Sequence, residues 1–438
     1  MLRQVNLPFG DRWDDLRASG LLVDLQRRGL LIDHDVVAPE LAYNAATAHA
    51  VIEPEQLAFV SYPYEWSFRQ LQDAGLVTLE AQSVAAAAGC TLRDASAYNV
   101  QFHNGTPKLI DTLSFERSER NRPWLAYRQF CEQFLAPLAL MAHRDVRCGL
   151  MLRDFIDGIP VDLASRLLPG RTKLDVGLTS HVHLHARAQR RQATRGHAES
   201  KPRGGMGTLR QAALLDSLKR TVEKLAWRPT QTAWADYADN TSYSGAAAAS
   251  KDGIVRRFLQ AAGGDVVWDL GANVGRFSAI ASSVGRTVIA WDADPGATQL
   301  HYEELRRRAT DTVLPLVADL VNPSPGIGWR NAERRSFADR ANADVVLALA
   351  LVHHLNVGRN IRLAMIAEFL AALGPVLVVE FVPGSDSMVQ QLLAQRADNL
   401  PYPTIEEFRR IFQRWFEIAE EAPIDGCDRV LMRMSRRG

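Results

Sequence analysis

The chain has few cysteines and no long apolar run. It contains four cysteines, Cys90, Cys131, Cys148 and Cys427, and no two of them form a CxxC pair. They are too few for a disulfide scaffold, so we expect buried, reduced thiols. No stretch approaches the roughly 20 uninterrupted apolar residues of a spanning helix, and the N-terminus lacks the apolar core of a secretory signal. These absences predict a cytoplasmic protein without a membrane segment.

The chain also lacks an excess of charge of either sign. Lysine and arginine number 51 and aspartate and glutamate 50, which gives a formal net charge of +1. This balance provides no global electrostatic reason to expect nucleic acid or an anionic membrane as a partner. The length of 438 residues exceeds one ordinary compact core and favours two domains. The oligomeric state does not follow from the sequence.

Two stretches break the apolar patterning. Arg187 to Gly207 combines arginines with small and turn-forming residues, which predicts a solvated loop. Its arginines could contact phosphate, but they lack interleaved aromatic residues for stacking on bases. Ser242 to Ser250 (SYSGAAAAS) separates helical sequence from an α/β pattern. We therefore predict an N-terminal accessory domain over residues 1–245 and a second domain over residues 246–438.

The second domain alternates between short apolar runs and helical periodicity, which is typical of a doubly wound α/β fold with a parallel sheet. Its final two runs are joined by PIDGCD, too short a connection for a helical crossover, so we expect an antiparallel hairpin at the end of the sheet. The predicted strands are Asp265–Leu270, Thr287–Trp291, Thr312–Val317, Asp344–Leu351, Pro375–Phe381, Phe416–Glu421 and Arg429–Met434, and the predicted helices are Val274–Val284, Asp294–Arg308 and Ile361–Leu373.

The first domain is predicted to be a mainly helical α+β unit. Helical spacing runs through Trp66 to Gly89 and through Pro123 to Ala142. Two short strands, Val100 to Phe102 and Lys108 to Ile110, flank the turn sequence HNGTP.

A glycine-spaced turn follows the first strand of the second domain, in the stretch VVWDLGANVGRF. A dinucleotide-binding fingerprint would read G-x-G-x-x-G, with glycine where the backbone approaches a pyrophosphate. Counted from Gly271, this chain has Asn273 and Arg276 at those positions. The pyrophosphate interpretation is therefore weak, and Asp269, Gly271 and Gly275 bracket a turn with room for another ligand.

Acidic residues follow the next two strands. Asp292 lies about 20 residues beyond the glycine turn, where a carboxylate can accept hydrogen bonds from ribose hydroxyls. Asp294 is better explained as the N-cap of a helix that begins with Pro295. Asp319 ends the third strand. Open α/β sheets bind ligands at this carboxyl edge.

These residues resemble the first motif of the class I S-adenosylmethionine-dependent methyltransferases, an acid-x-Gly-x-Gly/Asn-x-Gly turn. The resemblance covers Lys251 to Gly438 and implies a Rossmann-like sheet and S-adenosylmethionine as cofactor. It implies that the turn wraps the methionine portion and that the next acid holds the ribose. It also implies that Leu320 faces the adenine with the third acid, and that Ala350 lies at the cofactor. The cofactor residues implied are thus Asp269, Gly271, Asn273, Gly275, Asp292, Asp319, Leu320 and Ala350.

Nearly the whole chain further resembles a bacterial group of methyltransferase-like proteins, some of them labelled nodulation proteins. The shared stretches include SYPYEWSF, LRDASAYNVQF, LIDTLSFE, LALALVHHL and VVEFVP. This resemblance names no substrate. We expect a small-molecule or metabolite acceptor, while a protein acceptor stays open.

His353 and His354 follow the fourth strand and are the candidate catalytic residues. A histidine near the methyl group could deprotonate a hydroxyl or an amine. Alternatively, the pair caps a helix or packs against the cofactor. Glu380, at the end of the fifth strand, could contact an acceptor or face solvent. No metal site is predicted, because His181 and His185 lack a carboxylate or cysteine at matching spacing.

A segment of the first domain resembles the catalytic loop of protein kinases and aminoglycoside phosphotransferases. Asp94 and Asn99 have the D-x-x-x-x-N spacing, and Asp111 follows a strand as a metal-holding acid would. No glycine-rich loop precedes them, and the first lysine of the chain is Lys108. The segment therefore predicts a degenerate kinase-like scaffold, unless its acids only cap local turns.

Three functional hypotheses follow. The chain is predicted to be a methyltransferase whose first domain covers the site or selects the acceptor. The alternatives are a non-catalytic sensor or scaffold that binds S-adenosylmethionine, and an ATP-dependent phosphotransferase that uses Asp94, Asn99 and Asp111.

Overall fold

The computed structural model describes residues 2–119, 122–194, 207–229, 245–395 and 402–438. The chain divides into two compact units, Met1–Arg228 and Pro229–Gly438. No helix among the described residues is long and apolar enough to cross a membrane.

The described part of the N-terminal unit is mainly helical and carries three small antiparallel sheets. Strands β1, β3 and β2 form one sheet in that order, β4 pairs with β7, and β5 pairs with β6. The strands are β1 (Arg3–Asn6), β2 (His34–Val37), β3 (Ala48–Pro54), β4 (Cys90–Leu92), β5 (Val100–His103), β6 (Thr106–Leu109) and β7 (Phe115–Arg117). The helices are α1 (Gly10–Ala18), α2 (Leu21–Arg27), α3 (Phe68–Ala87), α4 (Tyr127–Phe130), α5 (Ala136–His143), α6 (Met151–Asp154), α7 (Val161–Leu167), α8 (Val176–Leu178), α9 (His185–Thr194) and α10 (Thr208–Lys224).

The predicted N-terminal helices are present, with one interruption. Helix α3 begins at a capping box in which Ser67 and Gln70 satisfy each other's backbone N–H groups. The helix predicted through Pro123 to Ala142 is divided, because a π-helical turn, Cys131–Leu135, separates α4 from α5. Pro137 lies in the first turn of α5, and a proline there cannot donate a backbone hydrogen bond to the preceding turn.

The segment that begins at Arg187 is not a loop throughout. Residues 187–194 belong to α9, and residues 195–206 lie outside the described residues. Arginine, glutamine and alanine are good helix formers, which explains why this arginine-rich stretch continues the helix. The loop prediction was therefore wrong for residues 187–194.

The C-terminal unit is a seven-stranded sheet with helices on its faces. The strand order is β10-β9-β8-β11-β12-β14-β13. The first five strands in this order are parallel, β14 runs antiparallel to β12, and β13 pairs antiparallel with β14. The strands are β8 (Val266–Leu270), β9 (Thr287–Asp292), β10 (Val313–Val317), β11 (Val345–Ala348), β12 (Val376–Phe381), β13 (Phe416–Pro423) and β14 (Val430–Arg436). The helices are α11 (Gly245–Ala262), α12 (Arg276–Ser283), α13 (Pro295–Arg308), α14 (Leu363–Leu373), α15 (Ser387–Ala394) and α16 (Ile405–Phe412).

Both faces of the sheet are buried. On one face Val267, Leu347 and Val378 pack in a core that includes Phe258 of α11. The indole rings of Trp268 and Trp291 lie in an aromatic cluster, with ring centroids 5.4 Å apart. Covering both faces explains the nearly continuous apolar strands of the sequence.

The stretch at the predicted domain boundary is helical where it is described. Residues 242–244 lie outside the described residues, whereas residues 245–250 are the first turns of α11. Alanine has the highest helix propensity, so the four alanines of this stretch extend the helix. The Asp294 cap is confirmed, because its carboxylate accepts the Gly296 N–H at 2.7 Å and Pro295 follows in the first turn.

Candidate functional site

The carboxyl ends of the parallel strands place the predicted acids together. Asp269 of β8 lies opposite Ala290 of β9 and Leu347 of β11. Asp292, the last residue of β9, lies opposite Val317 of β10. Because these strands are parallel and in this register, their carboxyl ends form one edge. This edge is where doubly wound sheets bind ligands.

The glycine turn is held against the end of β9. The N–H groups of Gly271 and Ala272 both donate to the Trp291 carbonyl, at 2.8 and 3.0 Å. The turn uses left-handed backbone angles at Gly271, Asn273 and Gly275, with φ of 76°, 51° and 87°. Such angles suit glycine, and asparagine tolerates them better than most residues. The sequence pattern is therefore set by backbone conformation.

Close packing also requires glycine at position 275. A Cβ built there would lie 2.0 Å from Nε2 of His301, a buried residue of α13. Burial lowers the pKa of His301 to about 4, so the ring is neutral near pH 7. Helix α13 therefore approaches the turn as closely as a residue without a side chain permits.

Asp269 and Asp292 support the turn from two strands. Asp269 is 2% exposed and accepts a hydrogen bond from the Ser278 hydroxyl at 2.6 Å. The two carboxylate oxygens of Asp292 accept the N–H groups of Asn273 at 2.7 Å and Asp294 at 2.8 Å. Burial raises the pKa of each aspartate to about 6. Both acids are ionised at pH 7 but close to protonation.

The remaining cofactor candidates lie on the loops after β10 and β11. The Asp319 side chain is 43% exposed and lies 3.7 Å from Arg359, and Leu320 follows it, partly exposed. Ala350 has a left-handed φ of 51°, an uncommon conformation for a residue other than glycine and one that occurs at ligand sites. Leu351 lies 3.4 Å from the position of a Cβ on Gly271. The loop after β11 therefore packs close to the glycine turn. The Asp319 side chain is more exposed to solvent.

His353 and His354 begin a short helical segment after β11. Their ring centroids are 4.2 Å apart. Burial, chiefly, lowers the pKa of His353 to about 3 and that of His354 to about 4, and each has a nearby positive group with the same effect. His353 is 2% exposed, and neither of its ring nitrogens has a hydrogen-bond partner among the described residues. Both rings are therefore neutral at physiological pH.

The C-terminal unit contains a buried charge network that the sequence did not predict. The Lys251 ammonium lies 2.6 Å from Glu380, and Arg429 lies 3.3 Å from Glu380 and 2.8 Å from Asp386. Glu380 is 1% exposed, so it does not face solvent. These residues are far apart in the sequence and belong to no motif. Only the apolar surroundings of Lys251 in α11 and of Glu380 in β12 hinted at burial.

The kinase-like residues of the N-terminal unit make local hydrogen bonds. Asp94 accepts the Ser96 N–H at 3.0 Å and the Gln129 amide at 2.6 Å. Asp111 accepts the Leu113 N–H at 3.1 Å and the Ser114 hydroxyl at 2.5 Å. The two acids are thus engaged as caps of adjacent turns.

Asn99, His181 and His185 of the same unit also contact neighbouring residues. Asn99 ends a short helical turn, and its carbonyl accepts the Ile110 N–H across the β5–β6 hairpin. His181 bonds to Tyr127 and Ser217 through its two nitrogens, and His185 stacks on Tyr127. Among the residues that the structure describes, no group of three or more metal-ligating side chains is present.

A search of curated proteins gave a relative over nearly the whole chain. The nodulation protein NoeA of Rhizobium meliloti (strain 1021) is 31% identical over 431 residues, which cover 96% of this chain and 89% of the relative. This chain belongs to the NoeA family. No protein-family model matches the chain.

Solved structures give weaker similarities. Magnesium protoporphyrin IX methyltransferase from Synechocystis PCC 6803, solved with bound SAM, is 18% identical with a TM-score of 0.32, over 48% of this chain and 86% of that one. The N-methyltransferase NodS from Bradyrhizobium japonicum WM9 is 11% identical with a TM-score of 0.34, over 44% of this chain and 99% of that one. At these scores neither structure assigns a function to this NoeA relative.

Proposed function

We propose that residues 246–438 bind S-adenosylmethionine at the carboxyl edge of the sheet and that the protein methylates an acceptor, a small molecule or metabolite. The observation that carries the proposal is the contact between Asp292 and the glycine turn. A carboxylate ends β9 within hydrogen-bonding distance of a turn that has left-handed angles at three positions. This geometry supports a ligand with ribose hydroxyls and no pyrophosphate.

The residues fit this cofactor in shape and charge. Gly271 and Gly275 allow the left-handed backbone angles that shape the turn. Asp292 retains lone pairs beside its backbone contacts and would accept from ribose hydroxyls. Asp319, Leu320 and Ala350 lie on the loops that would border the adenine, as the family resemblance implies. When bound, the cofactor supplies a methyl group on a sulfonium that already carries its leaving group.

The histidine pair is our candidate for the reacting side of the site. His353 and His354 are neutral near pH 7, so each can accept a hydrogen bond or a proton. Their low pKa values make them weak bases. Aligning the acceptor and excluding water are therefore expected to contribute more than proton removal.

Calorimetry with the full-length chain tests the proposal. S-adenosylhomocysteine, the demethylated product, should bind with a micromolar Kd, and Asp292→Ala should abolish binding. Asp311→Asn changes an exposed acid two residues before β10; it is the matched control and should leave the Kd unchanged. No heat with either S-adenosylmethionine or its product in the folded parent protein would contradict the proposal.

The other hypotheses are separable. A non-catalytic sensor would bind the cofactor without turnover in a screen of acceptors. A phosphotransferase would bind magnesium–ATP and lose it on Asp111→Ala. The capping bonds of Asp94 and Asp111 do not favour this activity, so we do not propose it.

A further inference from the structure

His353 has a buried imidazole ring whose nitrogens form no hydrogen bond within the described residues. It is 2% exposed, and among the described residues no donor or acceptor reaches either ring nitrogen. A buried group without a partner costs about 1–3 kcal/mol, and native proteins rarely contain one without a reason. Because His353 follows β11 at the carboxyl edge, a ligand group that completes its hydrogen bonds is a physical explanation.

The charge network lies beside this histidine. β11 and β12 are adjacent, with Ala348 opposite Val379, so Glu380 is one residue beyond the end of that register. Glu380, Arg429 and Lys251 are all close enough to His353 to act on its pKa. Lys251 also lies 4.7 Å from the ring centroid of Phe277, in the first turn after the glycine turn. The network therefore touches the helix that follows the glycine turn and acts on the histidine pair through its charges.

Burying these charges is costly. The side chains of Lys251, Glu380 and Arg429 are 4%, 0% and 2% exposed, and well-packed apolar residues are often as stable as a buried ion pair or more so. Glu380 is shared between two cations, which leaves little free negative charge to attract a cationic ligand. A functional role at the carboxyl edge of the sheet would explain why the protein has this buried network.

We propose that His353 binds the methyl acceptor through an uncharged amine or hydroxyl group, and that Glu380, held by Lys251 and Arg429, is a positioning residue behind the histidine. This inference rests on the proposed function, because it concerns the acceptor side of the same site.

The hydrogen-bonding capacity of a neutral imidazole favours an uncharged amine or hydroxyl group as its ligand. The ring has one N–H donor and one acceptor nitrogen. A hydroxyl or an amine can both donate and accept, so it matches both. A carboxylate matches only the donor and brings a new anion to a place where the cations are already paired, whereas a quaternary ammonium matches neither nitrogen and meets two buried cations.

Side-chain ¹⁵N NMR of ring-labelled histidine in the full-length protein tests the inference without knowledge of the acceptor. The probes are four fragments of similar size at pH 7.5: aniline, benzyl alcohol, benzoate and benzyltrimethylammonium. The His353 resonances are assigned by their loss in His353→Phe. We expect aniline and benzyl alcohol to shift them, and the two charged fragments to leave them unchanged. A shift with a charged fragment but with neither neutral one, or no shift with any, would overturn the inference.

Variants test the positioning role. Glu380→Gln alone would leave two buried cations without their shared anion and risks unfolding, so Lys251→Met is combined with it to remove one charge of each sign. We expect this double variant to weaken the benzyl alcohol shift at least tenfold in apparent affinity, while Glu380→Asp retains it and Glu420→Gln, a change at a partly exposed acid, leaves it unchanged. An unchanged shift in a folded double variant would contradict the positioning role.

The fragments are tested with and without S-adenosylhomocysteine. Absence of cofactor binding with intact fragment shifts would reject the proposed function and leave the His353 site standing. Cofactor binding without fragment shifts would reject only the inference about the acceptor.

Discussion

The carboxylate of Asp292 accepts the backbone N–H of Asn273 at 2.7 Å. This bond joins the end of β9 to the glycine turn that follows β8, two segments about 20 residues apart in the chain. A ligand in the turn therefore meets the carboxylate that also holds the turn in shape. The same side chain has a structural and a proposed binding role.

Asp292→Asn is expected to affect both roles. The amide has no negative charge. Its oxygen can accept one of the two backbone N–H groups, and its NH₂ group then faces the second N–H and cannot accept from it. We expect at least tenfold weaker binding of S-adenosylhomocysteine and a loss of about 1–2 kcal/mol in the free energy of unfolding. Calorimetry and urea denaturation measure the two effects. Equal affinity in parent and variant would refute the ribose-binding role.

Gly275→Ala should distort the glycine turn, because the added methyl group has no room beside His301. The φ of 87° and the 2.0 Å approach to His301 Nε2 oppose a methyl group, so we expect at least 100-fold weaker cofactor binding. Gly285→Ala is the matched control, because Gly285 has a φ of 82° and nothing within 4 Å of its Cβ position. It tests backbone strain alone and should leave binding intact. His301→Ala should partly restore binding to Gly275→Ala, and failure of this rescue would contradict the packing explanation.

The stability of the protein should rise between pH 4.5 and pH 7. Four buried or partly buried histidines have pKa values far below the 6.5 of an unfolded histidine, so unfolding takes up protons there and acid favours the unfolded chain. Two aspartates with pKa values raised to about 6 act in the opposite direction but are fewer. The histidines are His181, His301, His353 and His354.

Thermal denaturation across this pH range measures the effect. Each unbalanced proton contributes roughly 1.4 kcal/mol per pH unit. His301→Gln should reduce the slope. A Tm that falls as pH rises from 4.5 to 7 would show that the histidines are not neutral in the folded protein.

Cofactor binding should show its own pH dependence. Asp292 must be ionised to accept both backbone and ribose hydrogen bonds without a competing proton, and its pKa is raised to about 6. Affinity for S-adenosylhomocysteine should therefore be nearly constant above pH 7 and fall about tenfold between pH 7 and pH 5. Calorimetry at these pH values tests this, and an affinity that stays constant down to pH 5 would argue against binding through Asp292.

Glu380→Gln is expected to be the most destabilising isosteric change in the C-terminal unit. It removes the anion between two buried cations, which costs about 3–5 kcal/mol when one partner of a buried pair is lost. Glu420→Gln affects only exposed or half-buried arginine partners and should cost under about 1 kcal/mol. Denaturant unfolding gives both values. Similar costs for the two variants would mean that the network is not buried.

The glycine turn and the strand alternation were predictable from the sequence, because both depend on local constraints. Gly271, Asn273 and Gly275 occupy left-handed positions, which restricts the residue types. The Asp294–Pro295 pair marks a helix start by its hydrogen bonding alone. Such local features can be predicted from a single sequence.

The charge network was not predictable, because it depends on tertiary contacts between distant residues. Nothing near Lys251 in the sequence points to Glu380, which lies 129 positions away. The loop prediction was wrong at residues 187–194, because arginine, glutamine and alanine favour a helix there.

Hydrogen–deuterium exchange of the full-length protein with saturating S-adenosylhomocysteine reports both whether the cofactor binds and where it binds. We expect slower exchange in peptides that contain Val266–Phe277 and Ala348–His354, and no such slowing in Asp292→Ala. Unchanged exchange in both peptides at millimolar ligand, or protection confined to residues 2–228, would contradict it.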